Sequence, residues 1–279
     1  MKSALFTGAA VTLGLLLASI GSAQASTIAT DGSTSSHQPT AQARQHGIEK
    51  AGDAYMGWVQ NTTTTAAAAP AVMAPDATVE GIDVSSHQGN VDWTAQWNAG
   101  KRFAYTKATE GNYYTNPYFA QQYNGSYNVG MIRGAYHFAT PNDSSGANQA
   151  TYFLAHGGGW SRDGKTLPGA LDIEYNPYGA TCYGLSKAAM TSWILDFHDT
   201  YHALTGRWPV IYTSANWWVQ CVSGDFSSTA PLWVARYSST VGALPYNWGF
   251  YTVWQYTSSP LDQDTFNGAY DRLQALATG

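Results

Sequence analysis

The chain is short of charge. Of its 279 residues, 13 are Lys or Arg and 18 are Asp or Glu; charged residues make up 11%, and the formal net charge is −5. No basic stripe interrupts the sequence, which argues against nucleic acid as a partner. Cysteine is nearly absent, with only Cys182 and Cys221. No His or Cys stands around them at zinc-like spacing, so a disulfide is favoured over a metal pair, and no metal is expected. Closing that loop should stabilise the fold by roughly 3–4 kcal/mol in the chain-entropy model. Long apolar runs are missing too, with one exception at the start. Lys2, the apolar residues 9–20 and the small-residue pattern GSAQA at 21–25 read as an export leader over 1–25, cut after Ala25. The run is too short for a comfortable membrane span, and no other segment approaches it. A secreted, extracellular protein with no membrane association after cleavage is expected. No internal repeat is visible.

Aromatic residues are plentiful: 19 Tyr, 11 Trp and 9 Phe, or 14% of the chain. They either fill a core or line a cleft with flat faces that stack on sugar rings or bases; composition does not choose. Residues 26–78 are rich in Ser, Thr, Ala and Gln and include NTTTTAAAAP. Such a stretch buries too little apolar surface to offset its ordering entropy. A mostly disordered linker is expected, with a short helix around 44–58 as its one candidate element. Asn61-Thr62-Thr63 matches a glycosylation acceptor, though the linker's composition explains it equally well. Residues 79–279 have the length and punctuation of one sizeable domain.

Within that domain, short apolar runs predict strands over 81–85, 103–108, 131–139, 169–174, 209–213, 232–237, 251–256 and 262–266. Several are apolar almost throughout, as strands covered on both faces should be. The clearest helix is predicted over 185–204, where Met190, Trp193, Ile194, Phe197, Tyr201 and Leu204 recur at three- and four-residue steps before Gly206. Weaker helices are predicted over 93–99, 117–128 and 147–156, and the helical signal fades after about residue 223. Strand–helix alternation points to an α/β fold with a parallel sheet. Eight strands in so short a domain suggest a barrel lacking some outer helices.

The stretch LDIEYNPY at 171–178 places Asp172 and Glu174 at the end of a predicted buried strand. Side chains alternate across a strand, so these two share a face. Carboxyl groups that close cannot ionise independently. Repulsion and burial leave a proton donor beside an anion, the pair that glycosidic cleavage needs. In a (β/α) barrel, functional residues sit at the C-terminal ends of strands. Asp83 and Glu110 end or follow the first two predicted strands and Asp262 sits at the last, so these acids would converge on one mouth. The bland alternative is a solvated strand end; the apolar setting GALDIE and the scarcity of cations nearby in sequence favour function. Rival signals are weaker. Residues 159–166 match the phosphate-loop pattern but precede a strand instead of following one. His198 and His202 have helical spacing without the H-E-x-x-H pattern. Ser85-Ser86-His87 lacks a nucleophile-elbow context, and His137 in GAYHFA fits a hydrogen-bonded core histidine.

The ordered set GIDVSSHQGNVDW, FAYTKATEG, GMIRGAYHFATP, LPGALDIEYNPYGATCYGLS, VIYTSANWW, WVARYS and VWQYTSSPLDQDTFNG resembles glycoside hydrolase family 25. The likeness is strongest to the cellosyl-type muramidases of actinobacteria and covers 81–279. It implies a modified TIM-like (β/α) barrel of eight strands and about five helices. It implies a lysozyme that hydrolyses the β-1,4 bond between N-acetylmuramic acid and N-acetylglucosamine in bacterial cell-wall peptidoglycan, as a monomer, with no cofactor and no metal. It assigns Glu174 as general acid/base, with Asp172, Asp83 and Asp262 as the accompanying catalytic acids. Tyr136 lines the cleft, and Glu110, Tyr175 and Trp254 are further candidates for substrate contact. Cys182 and Cys221 match the subgroup's disulfide. One departure concerns the late motif, where Asp264 stands in the place of a common Asn, so that either Asp262 or Asp264 faces the site. Two other readings stay open: a wall-binding module without catalysis, and a hydrolase of another N-acetylated glycan such as chitin.

Overall fold

The chain alternates buried strands with amphipathic helices in an order that closes a sheet on itself. The computed structural model describes Met1, residues 37–59 and residues 77–279; the expected leader and the glycosylation motif lie outside the described residues. In chain order the elements are α1 (Ala41–Gln45), β1 (Val79–Val84), α2 (Trp93–Asn98), β2 (Phe103–Glu110), β3 (Tyr114–Thr115), α3 (Phe119–Asn128), β4 (Ile132–Phe138) and α4 (Gly146–Ala155). There follow β5 (Ala170–Asp172), α5 (Lys187–Thr205), β6 (Val210–Thr213), α6 (Ala215–Cys221), β7 (Leu232–Ala235), β8 (Val253–Thr257), β9 (Gln263–Phe266) and α7 (Tyr270–Thr278).

The sheet runs β1-β9-β8-β7-β6-β5-β4-β2, and β1 pairs with β2 at Gly81–Phe103 to close the barrel. Strand β3 only extends β2 as a short antiparallel ladder. Every barrel pairing is parallel except those of β9, which runs antiparallel to both β1 and β8. The expected eight-stranded barrel is therefore present, as a mixed sheet. Seven α-helices occur among the described residues; five lie between barrel strands, α1 precedes the barrel and α7 follows it. The sequence reading missed α6 and α7. Both are short, and α7 buries only Leu273 and Ala277.

Apolar side chains form two layers. Outside the strands, Phe153, Ile173, Ile194, Phe197, Trp217 and Trp218 pack between sheet and helices. Inside, Phe103, Tyr105, Tyr136, Tyr212 and Trp233 fill the barrel. Helix α5 shows how the sequence builds the outer layer. Ser186 caps its start by accepting from the Ala189 amide at 3.2 Å, Gly206 ends it at φ 73°, and Met190, Trp193, Ile194, Phe197 and Tyr201 make one buried face. Helix α4 reaches that face closely. A Cβ on Gly146 would stand 2.3 Å from the Trp193 carbonyl oxygen, so only glycine lets the two backbones approach. The disulfide Cys182–Cys221, with a Cα–Cα distance of 5.4 Å, ties the loop after β5 to the end of α6.

The expectation of disorder over 26–78 needs correction for residues 37–59. This segment carries α1, whose start is capped by Thr40, and it buries Ala43, Ile48, Ala54, Met56 and Trp58. Its apolar residues are too few for a core of their own and too scattered for a helical or strand period. Composition therefore read as linker. They are buried because they pack on the barrel, and the helix falls at 41–45 instead of 44–58.

Candidate active site

Five carboxyl groups meet inside the barrel near the ends of its parallel strands. Asp83 comes from β1, Asp172 is the last residue of β5, Glu174 follows two residues later, and Asp262 and Asp264 flank the start of β9. The antiparallel direction of β9 explains the last two: its beginning, not its end, lies at the mouth. All five are at most 3% exposed. The Gln255 side-chain amide donates to Asp83 Oδ2 at 2.8 Å, Trp233 Nε1 to Asp264 Oδ1 at 3.0 Å, and the Tyr237 hydroxyl to Asp262 Oδ1 at 3.2 Å. Asp172 and Glu174 lie against each other, as do Asp83 and Asp264, each pair close enough to share a proton. Beyond that sharing, both Asp172 oxygens, Glu174 Oε2, Asp83 Oδ1 and Asp264 Oδ2 receive no donor among the described residues. None of the five makes an ion pair among the described residues.

Burial is the first cause that lifts all five acids well above the ordinary carboxyl range. The neighbours add to it: Asp264 acts on Asp83, Glu174 on Asp172, and Asp83 on Asp262. Like charges this close cannot all form, so the cluster keeps protons at a pH where separate, solvated carboxyl groups have lost theirs. Such a site offers both a proton donor and an anion to a reacting bond. Sequence reasoning left Asp262 and Asp264 as alternatives. The structure brings both inward, because they are two residues apart and share a face.

The other candidates divide. Tyr136 lies among the acids; burial first, then Asp83, Asp172 and Asp262, push its phenol well up. Tyr175 lines a cleft of about 320 Å³ with Asn176, Ser214, Arg236 and Trp58. Glu110 is placed otherwise than expected. Its oxygens already accept from Lys107, Tyr113, Tyr178 and the Gly52 amide, so it offers no free acceptor to a sugar. A register shift in β2 between Lys107 and Thr109 puts Lys107 and Glu110 on one side, although their spacing of three would separate them in a regular strand. Trp254 is a correction. Gln255 faces the acids, so Trp254, one residue earlier, faces outward, packs on the outer layer and donates from Nε1 to the Arg236 carbonyl at 2.8 Å.

His137 is the core histidine that was expected. Its Nδ1 meets Thr109 Oγ1 at 2.7 Å and its Nε2 meets Gln149 Oε1 at 2.9 Å, and burial lowers its pKa to about 3. Residues 159–166 form a turn before β5, with Asp163 accepting from the Lys165 and Thr166 amides. Among the described residues, no group of three or more His, Cys, Asp or Glu is arranged to hold a metal ion.

Residues 52–58 cover the acids. The Gly57 amide donates to Glu174 Oε1 at 2.7 Å, and Met56 is wholly buried in the interior cluster with Tyr136, Tyr212 and Ala235. Lys107 Nζ donates to the Gly52 carbonyl at 3.0 Å, to the Ala54 carbonyl, and to Glu110 Oε2 at 2.5 Å. Trp58 Nε1 donates to the Tyr175 carbonyl at 2.9 Å, and the Thr40 amide to the Pro177 carbonyl at 2.9 Å. Nothing in the Ser-, Thr- and Ala-rich composition signalled this contact; the string GDAYMGW at 52–58 is its only trace in the sequence.

Residues 82–265 match the family model described as "Glycosyl hydrolases family 25". The chain is 49% identical to "Lysozyme M1" of Streptomyces globisporus over 209 residues, covering 71% of each. It is 48% identical to the "N,O-diacetylmuramidase" of Chalaropsis sp over 211 residues, covering 72% of this chain and 100% of that protein. The solved muramidase of Acremonium alcalophilum superposes with a TM-score of 0.71 at 56% identity, covering 72% of this chain and 99% of that one. With its barrel, its acid cluster and these relatives, the chain belongs to glycoside hydrolase family 25.

Proposed function

We propose that this glycoside hydrolase is a lysozyme, an N-acetylmuramidase that cuts the β-1,4 bond between N-acetylmuramic acid and N-acetylglucosamine in peptidoglycan. The observation that carries the reading is that Asp172 and Glu174 lie side by side in a buried acid cluster that makes no ion pair among the described residues. The names of the relatives at 48–49% identity, a lysozyme and a diacetylmuramidase, support the same bond.

Glu174 acts as general acid, giving its proton to the bridging oxygen as the bond to the anomeric carbon breaks. Positive charge develops at that carbon, and Asp172 opposes it. The substrate's own 2-acetamido oxygen attacks the carbon to form an oxazolinium ion, which the Asp172 carboxylate steadies; direct attack by Asp172 is the alternative route. Glu174, now anionic, takes a proton from the incoming water, which opens the ion with net retention. Asp83 and Asp262 hold charge and sugar hydroxyls beside the pair, and Tyr136 and Tyr175 line the path of the glycan. The enzyme works outside the cell as a monomer. The leader-like residues 1–25 and the disulfide support export, and among the described residues no helix is long and apolar enough to cross a membrane.

Mass spectrometry of the muropeptides released from purified wall tests the reading, with the chain used in a form freed of residues 1–76. N-acetylmuramic acid at the new reducing ends is expected. N-acetylglucosamine there, or turnover of chitin without turnover of peptidoglycan, overturns it. Proton NMR of the first product should show the β anomer, and an α anomer rules out retention.

A further inference from the structure

The acid pair is fully buried, and a hydrolase of a polymer cannot work on a sealed site. What seals it is a piece of the same chain, residues 37–59, which enters through the mouth where a glycan would have to lie. We propose that residues 37–59 are an intramolecular inhibitor, and that the chain is latent until an endopeptidase cuts it between this segment and the barrel. This proposal rests on the reading of Asp172 and Glu174 as the reacting pair.

Three features distinguish the contact from ordinary packing. The first is its aim: the Gly57 amide donates to Glu174 Oε1 at 2.7 Å, and the Gly57 carbonyl lies 3.3 Å from the Tyr237 hydroxyl, within reach of the same hydrogen that Asp262 accepts. The segment thus presents backbone donor and acceptor groups where a sugar would present hydroxyl and amide groups. The second is its fit. Gly57 has φ 74°, and a Cβ there would stand 2.3 Å from the Tyr237 hydroxyl and 2.4 Å from Gln255 Oε1, so this glycine is seated among the side chains that hold the acids. The third is what it leaves undone: beyond any proton they share with each other, both Asp172 oxygens and Glu174 Oε2 lie buried with no donor among the described residues. A cover built as permanent core would satisfy them. A glycan, rich in hydroxyl donors, can satisfy them better.

The segment also disarms the acid. Burial lifts Glu174 well above the usual carboxyl range, and the Gly57 N–H works against that lift, drawing the acid away from the protonated form it needs to protonate a leaving oxygen. Lys107 is the latch, donating to the carbonyls of Gly52 and Ala54 on the far side of the mouth. Inhibition needs no high intrinsic affinity while the segment is tethered, because tethering gives an effective concentration in the roughly millimolar range. Hydrolysis of one peptide bond consumes one water, leaves a carboxylate and an amine, and abolishes that advantage: the freed segment then competes only at its concentration in bulk. The barrel does not need the segment to fold. The Chalaropsis relative is matched over its full length, and the Acremonium structure over 99% of its chain, by about 72% of this chain.

The experiment compares lysis of purified peptidoglycan by the full chain, by the full chain cut at a specific protease site inserted after Val59, and by a chain beginning at Ala77. The uncut chain is expected to be roughly 100-fold slower or more, given the scale on which tethering raises affinity. Cutting should release the activity of the short chain. Gly57→Val in the uncut chain should do the same, by expelling the segment. Equal rates before and after cutting overturn the proposal. Should no form lyse the wall, the muramidase reading fails, and a second readout still decides latency: binding of a synthetic peptide of residues 37–59 to the short chain. With the peptide at about millimolar concentration, the scale the tether supplies, binding and displacement by an N-acetylglucosamine tetrasaccharide are expected, and failure to bind at that concentration, or simultaneous occupancy, contradicts the proposal.

Discussion

A single buried acid and a cluster of five stand near the same end of this barrel, and they are built on opposite terms. Around Glu110, a buried cation, two tyrosine hydroxyls and a backbone amide satisfy one carboxylate. Around Glu174, five carboxyl groups share a space, and among the described residues no cation is bonded to any of them and several oxygens have no donor. A satisfied buried charge is part of the framework, whereas an unsatisfied cluster costs stability and marks where a ligand completes the bonding. Both groups are touched by residues 37–59, through Gly52 and Gly57. The first contact looks like anchorage and the second like occupation.

The contrast can be broken from either side. Asp172→Asn should lower wall hydrolysis by the Ala77 chain roughly 10²–10³-fold, the scale for losing one electrostatic stabiliser, without loss of folding; steady-state rates with circular dichroism check this. Lys107→Met should do the reverse. It leaves Glu110 buried without its cation and should cost about 3–5 kcal/mol in urea unfolding of the full chain. Asp264→Asn should cost no more than about 1 kcal/mol, because it relieves repulsion while Trp233 keeps an acceptor. If Asp264→Asn is as damaging as Lys107→Met, the two groups are not different in kind.

The smallest effect is in pH. The five acids have folded pKa values raised above their unfolded ones, first by burial. The stability linked to them is therefore complete below the unfolded carboxyl pKa and is lost as pH rises through the raised values. His137 has the opposite sign: lowered from 6.5 to about 3 by burial, it contributes stability that is complete above 6.5 and is lost as pH falls toward 3. Urea midpoints of the full chain should decline on the alkaline side of the carboxyl range. In the Ala77 chain, where the acids meet water, that decline should be smaller.

The acids were legible in the sequence because strand alternation fixes which residues share a face. Asp172 and Glu174 two apart, and Asp262 and Asp264 two apart, are decided by period alone. The same rule misled where the backbone was irregular or a face was assumed. The shift in β2 brings Lys107 to Glu110, and Trp254 turns outward because its neighbour Gln255 turns in. Helix α5 was legible because its stripe runs through five turns, while α7 buries only Leu273 and Ala277 and so leaves little stripe to read. Residues 37–59 were illegible for a different reason. Their order comes from a surface more than a hundred residues away in sequence at Glu174, and no local pattern encodes a long-range contact.

The central claim is that the Asp172–Glu174 pair is the reacting centre and not a structural acid cluster. Glu174→Gln in the chain beginning at Ala77 tests it, with lysis rate and unfolding midpoint measured on the same preparation. The account predicts a fall of about 10²–10⁴-fold in rate, the range for loss of a general acid, with the midpoint unchanged or higher. Near-normal lysis by that variant would contradict it.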